Sequence, residues 1–179
     1  MILFLYLAAI VVANVITAAF VPLQAGPFLI PYGSWLIGAT LVLRDIIQRK
    51  YGRKKAYIAI VSALLLSALS SVFLGDTLVI TAASAISFLL SESADTEIYT
   101  RLKVPFLGKV LTSGVISGTL DSVLFVVIGL SPLFSGILSW DMIPNAILGQ
   151  LIVKCLMQVI GVLVLYVIKN RWEVNSNAG

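Results

Sequence analysis

The chain has 179 residues, of which 60% are hydrophobic and 11% are charged, with a formal net charge of +4. Soluble domains carry about 25% charged residues, so these proportions exclude an ordinary soluble fold and indicate an integral membrane protein. The chain has no histidine and one cysteine, Cys155, which excludes Ser-His-Asp and Cys-His catalysis, sites that need histidine or several cysteines as zinc ligands, and an internal disulfide framework.

Six apolar runs follow one another along the chain, and each is close to the roughly 20 residues that a membrane-spanning helix needs. The runs are 2–21, 28–48, 56–74, 78–99, 110–130 and 144–168. They predict an all-α integral membrane protein, a bundle of six transmembrane helices in a single domain, 1–179. No basic residue precedes the first run, so we expect a retained helix and not a cleaved signal peptide.

Helix-breaking residues separate the runs. Pro22, Gly26, Pro27 and Pro31 mark the first connection, and the pair Gly75-Asp76 predicts a tight turn after the third run. Before the last run, a short amphipathic piece around 133–140 is expected at the membrane interface.

Eleven of the twelve Lys and Arg residues lie in or next to alternate connections, and the twelfth, Lys154, lies inside the last apolar run. Of the twelve Lys and Arg residues, six lie within Arg44–Lys55, three within Arg101–Lys109, and two, Lys169 and Arg171, near the C-terminus. The other connections contain neither residue type. The positive-inside rule therefore predicts that both termini are cytoplasmic. The same grouping argues against a nucleic-acid partner, whose footprint would be a continuous basic patch.

Several polar side chains fall inside the apolar runs, where a charge costs a few kcal/mol even on the lenient insertion scale. At about 1.5 Å per residue, Asn14, Asp121 and Lys154 lie near the membrane midplane. These groups cannot face lipid, so we expect them to line an interior cavity. The polar candidates for substrate binding are Asn14, Glu92, Asp95, Asp121, Gln150, Lys154 and Gln158.

The spacing of these residues indicates shared helix faces. Glu92 and Asp95 lie on one face of the fourth helix, and Gln150, Lys154 and Gln158 are four residues apart on the sixth. The third helix has only isolated serines, so we expect it to form part of the wall of the bundle without contributing to the polar interior.

Each of these groups of polar residues can instead serve only to hold the helices together, and the sequence leaves both roles open. Asp121 and Lys154 can be an ion pair that only joins two helices, and Glu92 and Asp95 can anchor the helix to a basic loop. At the cytoplasmic end of the second helix, a gate or ion pair is expected instead of substrate contact. Its members are Arg44, Asp45 and Gln48.

In their order along the chain, several motifs resemble the vitamin uptake transporter (VUT) family. They are Ala13-Asn14-Val15, the run Arg44–Ala56, the spaced set Glu92, Asp95 and Tyr99, the acidic Asp121 and the basic Lys154. The resemblance covers nearly the whole chain. The chain departs from the family in its short N-terminus and minimal loops.

The resemblance implies a multi-pass importer of queuosine precursors in a prokaryotic cytoplasmic membrane, with a deazaguanine base as substrate and no cofactor or metal. A carboxylate would accept the adjacent N–H donors of a guanine-like edge, and Lys154, Asn14 or a glutamine would donate to its carbonyl oxygen or ring nitrogen. A planar ring would also gain from an aromatic lid. The candidates for this lid are Phe20, Tyr32, Trp35 and Phe88.

Three other functions compete with a stand-alone carrier. The chain has the size and helix count of a substrate-binding subunit of an energy-coupling-factor importer, and a membrane assembly subunit without transport is the second alternative. An intramembrane enzyme is disfavoured, because no histidine is present and Gly75-Asp76 lacks the Gly-x-Gly-Asp context of aspartyl intramembrane proteases. A homodimer and coupling to protons stay open.

Overall fold

The computed structural model describes residues 1–20, 22–74 and 78–176 and shows a bundle of six α-helices in this part of the chain. The elements are α1 (Ile2–Ala19), β1 (Leu23–Ala25), β2 (Phe28–Ile30), α2 (Gly33–Tyr51), α3 (Arg53–Leu74), α4 (Leu78–Arg101), α5 (Phe106–Leu124) with a π-helical continuation (Phe125–Leu130), and α6 (Ile143–Ser176). The helical membrane class is thus as predicted.

Among the residues that the structure describes, three helical segments are long and apolar enough to cross a membrane by length and composition. These are Arg53–Phe73, Phe106–Leu130 and Ile143–Val167, and Ile2–Thr17 is a shorter apolar helix. Large apolar side chains on α3, such as Leu65, Leu69 and Phe73, point outward and are exposed. An exposed apolar surface of this extent fits lipid as the surrounding solvent.

The predicted start of the second helix at Phe28 is wrong, because Phe28–Ile30 forms a strand. It pairs antiparallel with Leu23–Ala25 in a two-stranded hairpin, the exception to the all-α prediction. Gly26 takes a positive φ of 60° at the turn, a conformation that glycine adopts without strain. Pro31 disfavours helix at the residue before it, so α2 begins only at Gly33.

Other boundaries differ because apolar runs mark the hydrocarbon core and not the helix. α3 starts at Arg53 instead of 56, directly after Gly52, whose φ of 82° ends α2. α5 starts at Phe106 instead of 110, where Pro105 caps the helix. α6 extends past the predicted 168 to Ser176. The predicted helix end at Val21, the turn at Gly75-Asp76 and the final residues 177–179 lie outside the described part of the chain.

The expected amphipathic piece around 133–140 is a series of turns with no regular helix. Gly136 has a positive φ of 67° there, and the Leu138 amide donates to the Leu130 carbonyl. This segment and the β1–β2 hairpin lie at one end of the bundle, the hairpin end. The α2–α3 junction at Gly52 and the α4–α5 connection, 102–105, lie at the other, the basic end.

Close helix contacts use glycines that face neighbouring helices. A Cβ at Gly38 of α2 would approach Met157 Cβ of α6 to 2.7 Å and Lys154 Cα to 3.2 Å. A Cβ at Gly118 of α5 would meet only ordinary contacts, with Leu41 and Lys154 side-chain atoms at 3.7 Å. The α2–α6 contact therefore depends on the missing side chain at Gly38.

We expect Gly38→Ala to destabilise the bundle by about 1–3 kcal/mol, the usual cost of overpacking. The midpoint of thermal unfolding in detergent measures this change. Gly118→Ala is the matched control and should not lower the midpoint, since its new methyl group has room. Equal midpoints for the two variants would contradict the packing argument.

Candidate functional site

A cavity of about 250 Å³ lies among all six helices toward the hairpin end. Pro22 and Pro31, which flank the two strands, belong to its lining. Five of the predicted substrate-binding residues also line it, namely Asn14, Phe88, Asp121, Gln150 and Lys154. The expected interior cavity is therefore present, and polar side chains reach it from α1, α5 and α6.

Lys154 uses its ammonium group within the protein. Its Nζ donates to Asp121 Oδ2 at 2.6 Å, Ser122 Oγ at 2.9 Å and Gln150 Oε1 at 3.3 Å. An ammonium has three N–H donors, so none is left for a substrate. Lys154 is only 3% exposed and the Asp121 side chain 16%. Lys154 thus neutralises Asp121 and fixes its orientation.

This arrangement determines which polar atoms remain for a ligand. Asp121 Oδ1 accepts only a long 3.4 Å bond from Ser91 among the described residues. Because Lys154 can only donate, Gln150 must turn its oxygen toward Nζ, which leaves the Gln150 amide N–H groups as donors. Asp121 therefore offers an acceptor and Gln150 a donor group at the cavity, and the formal charges of Asp121 and Lys154 cancel.

Asn14 is held by α3. Its Nδ2 donates to Ser67 Oγ at 2.8 Å and Ser70 Oγ at 2.9 Å. The Asn14 amide oxygen is consequently turned away from these serines.

Five serines that the sequence analysis did not single out also line the cavity. Two of them come from α3, which was expected to contribute nothing to the polar interior. They are Ser34, Ser67, Ser71, Ser84 and Ser87. The available signal was their spacing of four residues on α3 and three on α4, which places each pair on one helix face.

The other predicted residues lie away from the cavity lining. Trp35 is partly buried in the first turn of α2, and Gln158 is fully buried with its Nε2 donating to the Val110 carbonyl at 2.6 Å. Phe20 and Tyr32 form an edge-to-face pair with ring centroids 5.8 Å apart. Among the predicted aromatic residues, only Phe88 borders the cavity.

Glu92 and Asp95 point toward Arg44 instead of the cavity. Arg44 forms ion pairs with Asp45 (Nη2 to Oδ1, 2.8 Å), with Glu92 (Nε to Oε2, 3.4 Å) and with Asp95. We call these four residues the Arg44 cluster. All four side chains are at most 2% exposed. Arg44, which the sequence groups with the basic loop, is thus an interior residue.

Further hydrogen bonds join α2 to α4 beside this cluster. Arg44 Nη1 donates to Thr96 Oγ1 at 2.7 Å, and Gln48 Nε2 donates to Thr100 Oγ1 at 2.9 Å. Tyr6 of α1 donates to Glu92 Oε2 at 3.4 Å. These contacts close the bundle between the cavity and the basic end, the position predicted for a gate.

We expect Lys154→Met to destabilise the protein by about 3 kcal/mol. This is the lower end of the range for breaking a buried ion pair, because Asp121 is partly exposed to the cavity. The double variant Asp121→Asn/Lys154→Met should recover at least half of the loss, since it leaves no unpaired charge. Thermal unfolding in detergent tests both, and a wild-type midpoint for the single variant would show that the pair is not structural.

A family model described as "Putative vitamin uptake transporter" matches residues 68–168, more than half of the 179 residues. The matched span includes Phe88, Asp121, Gln150 and Lys154 of the cavity, whereas Arg44 lies outside it. No curated protein and no solved structure matches the chain. The family match and the apolar helices together identify an integral membrane protein of the uptake-transporter class, and the chain belongs to the vitamin uptake transporter family.

Proposed function

We propose that this protein imports a queuosine precursor, a deazaguanine base, across a prokaryotic cytoplasmic membrane, with six spans and both termini inside. The family membership supports uptake as the activity. The resemblance of the ordered motifs supports the substrate, and the restriction of basic loops to one end of the bundle supports the orientation.

The single observation that carries the proposal is the cavity among the helices, with Asp121 and Gln150 in its lining. Its volume of about 250 Å³ is slightly below the usual range for sites that bind drug-sized ligands. A small bicyclic base suits this volume better than a base carrying a sugar or a large vitamin.

The polar atoms at the border complement a guanine-like edge. Asp121 Oδ1 would accept the adjacent N–H donors of the base, and the Gln150 amide would donate to its carbonyl oxygen. Phe88 and Phe125 line the same cavity and offer aromatic contact to a planar ring. Because Lys154 balances Asp121, the site suits a ring without net charge.

In the proposed orientation the cavity lies in the outer half of the membrane, and the Arg44 cluster lies between it and the cytoplasm. The structure then corresponds to a state closed toward the inside. Import requires an alternate state in which the ties between α2 and α4 open, as in alternating access around a fixed site.

Uptake by proteoliposomes that contain only this chain tests the proposal. We expect saturable uptake of labelled cyano-deazaguanine, competed by excess unlabelled base and not by the corresponding nucleoside, which exceeds the cavity. Tight binding without uptake would instead indicate a subunit that needs an energising partner, as in energy-coupling-factor importers. Neither binding nor uptake would reject the substrate and favour an assembly subunit.

We expect Asp121→Asn to weaken binding of the base by about 10- to 100-fold, which corresponds to losing a hydrogen bond to a charged group. Equilibrium binding in detergent measures this loss. The matched control is Asp141→Asn, a carboxylate in the exposed loop before α6, which should bind like the wild type. Equal affinity of Asp121→Asn and wild type, with both folded, would remove Asp121 from the site.

A further inference from the structure

The Arg44 cluster contains one cation for three carboxyl groups. If all are ionised, its formal charge is −2, from one positive side chain and three negative ones. Asp45 and Asp95 are fully buried, and Glu92 is 1% exposed. Burying a charge without a compensating partner costs several kcal/mol, so this excess needs a compensating ligand.

The surrounding elements supply no second cation among the described residues. The titratable groups that face the cluster are Tyr6 from α1, Tyr99 from α4 and Asp121 from α5. Lys154 of α6 is paired with Asp121, and Arg49 of α2 lies over the Phe106 ring at 4.0 Å. Lys109 of α5 lies over the Tyr99 ring, 5.4 Å from its centroid, and forms no ion pair with the cluster. The side of α3 packed here is apolar, with Ala59, Ile60 and Ala63.

Several buried polar atoms at the cluster lack hydrogen-bond partners. Within the described residues, Asp45 Oδ2, Asp95 Oδ1 and Gln48 Oε1 are buried acceptors with no hydrogen-bond partner, and Arg44 Nε is a buried donor with none. The Ser113 hydroxyl of α5 is also fully buried; it faces Asp95 without a partner in hydrogen-bond geometry. Such orphan atoms are costly, and a proton on a carboxyl group would convert one acceptor into a donor.

We propose that the Arg44 cluster is a proton-binding site, separate from the substrate cavity, and that the proton it binds couples import to the proton gradient. The coupling half of this inference rests on the proposed function. The proton reaches a carboxyl of Asp45, Glu92 or Asp95 from water in the cavity, and leaves that same oxygen for the cytoplasm when the basic end opens.

A short contact chain connects the two sites. Asp121 at the cavity accepts from Ser91, and Glu92, the next residue of α4, pairs with Arg44. A ligand on Asp121 therefore changes the electrostatic surroundings of Glu92. Thermodynamic linkage then requires that proton binding change substrate affinity by the same factor as substrate binding changes proton affinity.

Infrared spectroscopy of the purified chain tests the proton site without any substrate. We expect the carbonyl stretch of a protonated carboxyl at neutral pH, shifted in D₂O, which weakens in at least one of Asp45→Asn, Glu92→Gln and Asp95→Asn. Glu97→Gln is the matched control, because this α4 carboxylate pairs with Arg53 and Arg101 outside the cluster. Its spectrum should keep the band. Absence of the band in the wild type, or its persistence in all three variants, would overturn the site.

Transport in vesicles tests the coupling. The wild type should accumulate labelled base under an inwardly directed proton gradient. The cluster variant that weakens the infrared band should accumulate at least 10-fold less base than the wild type. The same variant should still exchange internal for external base, while Glu97→Gln keeps both activities. If accumulation persists after the proton gradient is collapsed, the coupling is rejected but the proton-binding site is not. Absence of both uptake and exchange in the wild type would reject the proposed function and leave the infrared result standing.

Discussion

The cost of burying charge governs the interior of this bundle. Arg44 is fully buried and is retained only because side chains from two helices surround its guanidinium with acceptors. Removing any one helix from that arrangement would expose an unpaired charge to a low-dielectric interior, at a cost of several kcal/mol. The rotation of α2 against α4 is therefore fixed by electrostatics as much as by packing.

The cavity near the hairpin end is polar for a different reason. Its serines lie on helices, and the Ser87 hydroxyl donates to the Ser84 carbonyl of its own helix at 3.2 Å. A hydroxyl satisfied in this way still has lone pairs that accept. Small polar residues can thus line a site without adding charge, which leaves Asp121 and Lys154 as the charged pair among its lining residues.

The sequence predicted the helices well because apolar runs follow directly from the thickness of the hydrocarbon core. It missed the strand at Phe28–Ile30, since periodicity cannot assign a three-residue apolar run to strand or helix. It also identified polar residues that must be inside and offered the Asp121–Lys154 pair as one alternative, but it did not predict that Glu92 and Asp95 pair with Arg44. Whether Glu92 meets a substrate or Arg44 depends on the rotation of α4, which is set by contacts distant in sequence.

The separation of the two polar centres limits how the protein can work. The cavity is closed toward the basic end by the contacts of Arg44 and Gln48 with α4, and these contacts must break for a substrate to pass that way. Breaking these contacts costs least when the carboxyl groups are neutral, because they then carry no negative charge for the Arg44 guanidinium to balance. Any change in charge at the Arg44 cluster therefore alters the free energy of opening directly, whereas a change at the Asp121–Lys154 pair acts on it only through Ser91 and Glu92.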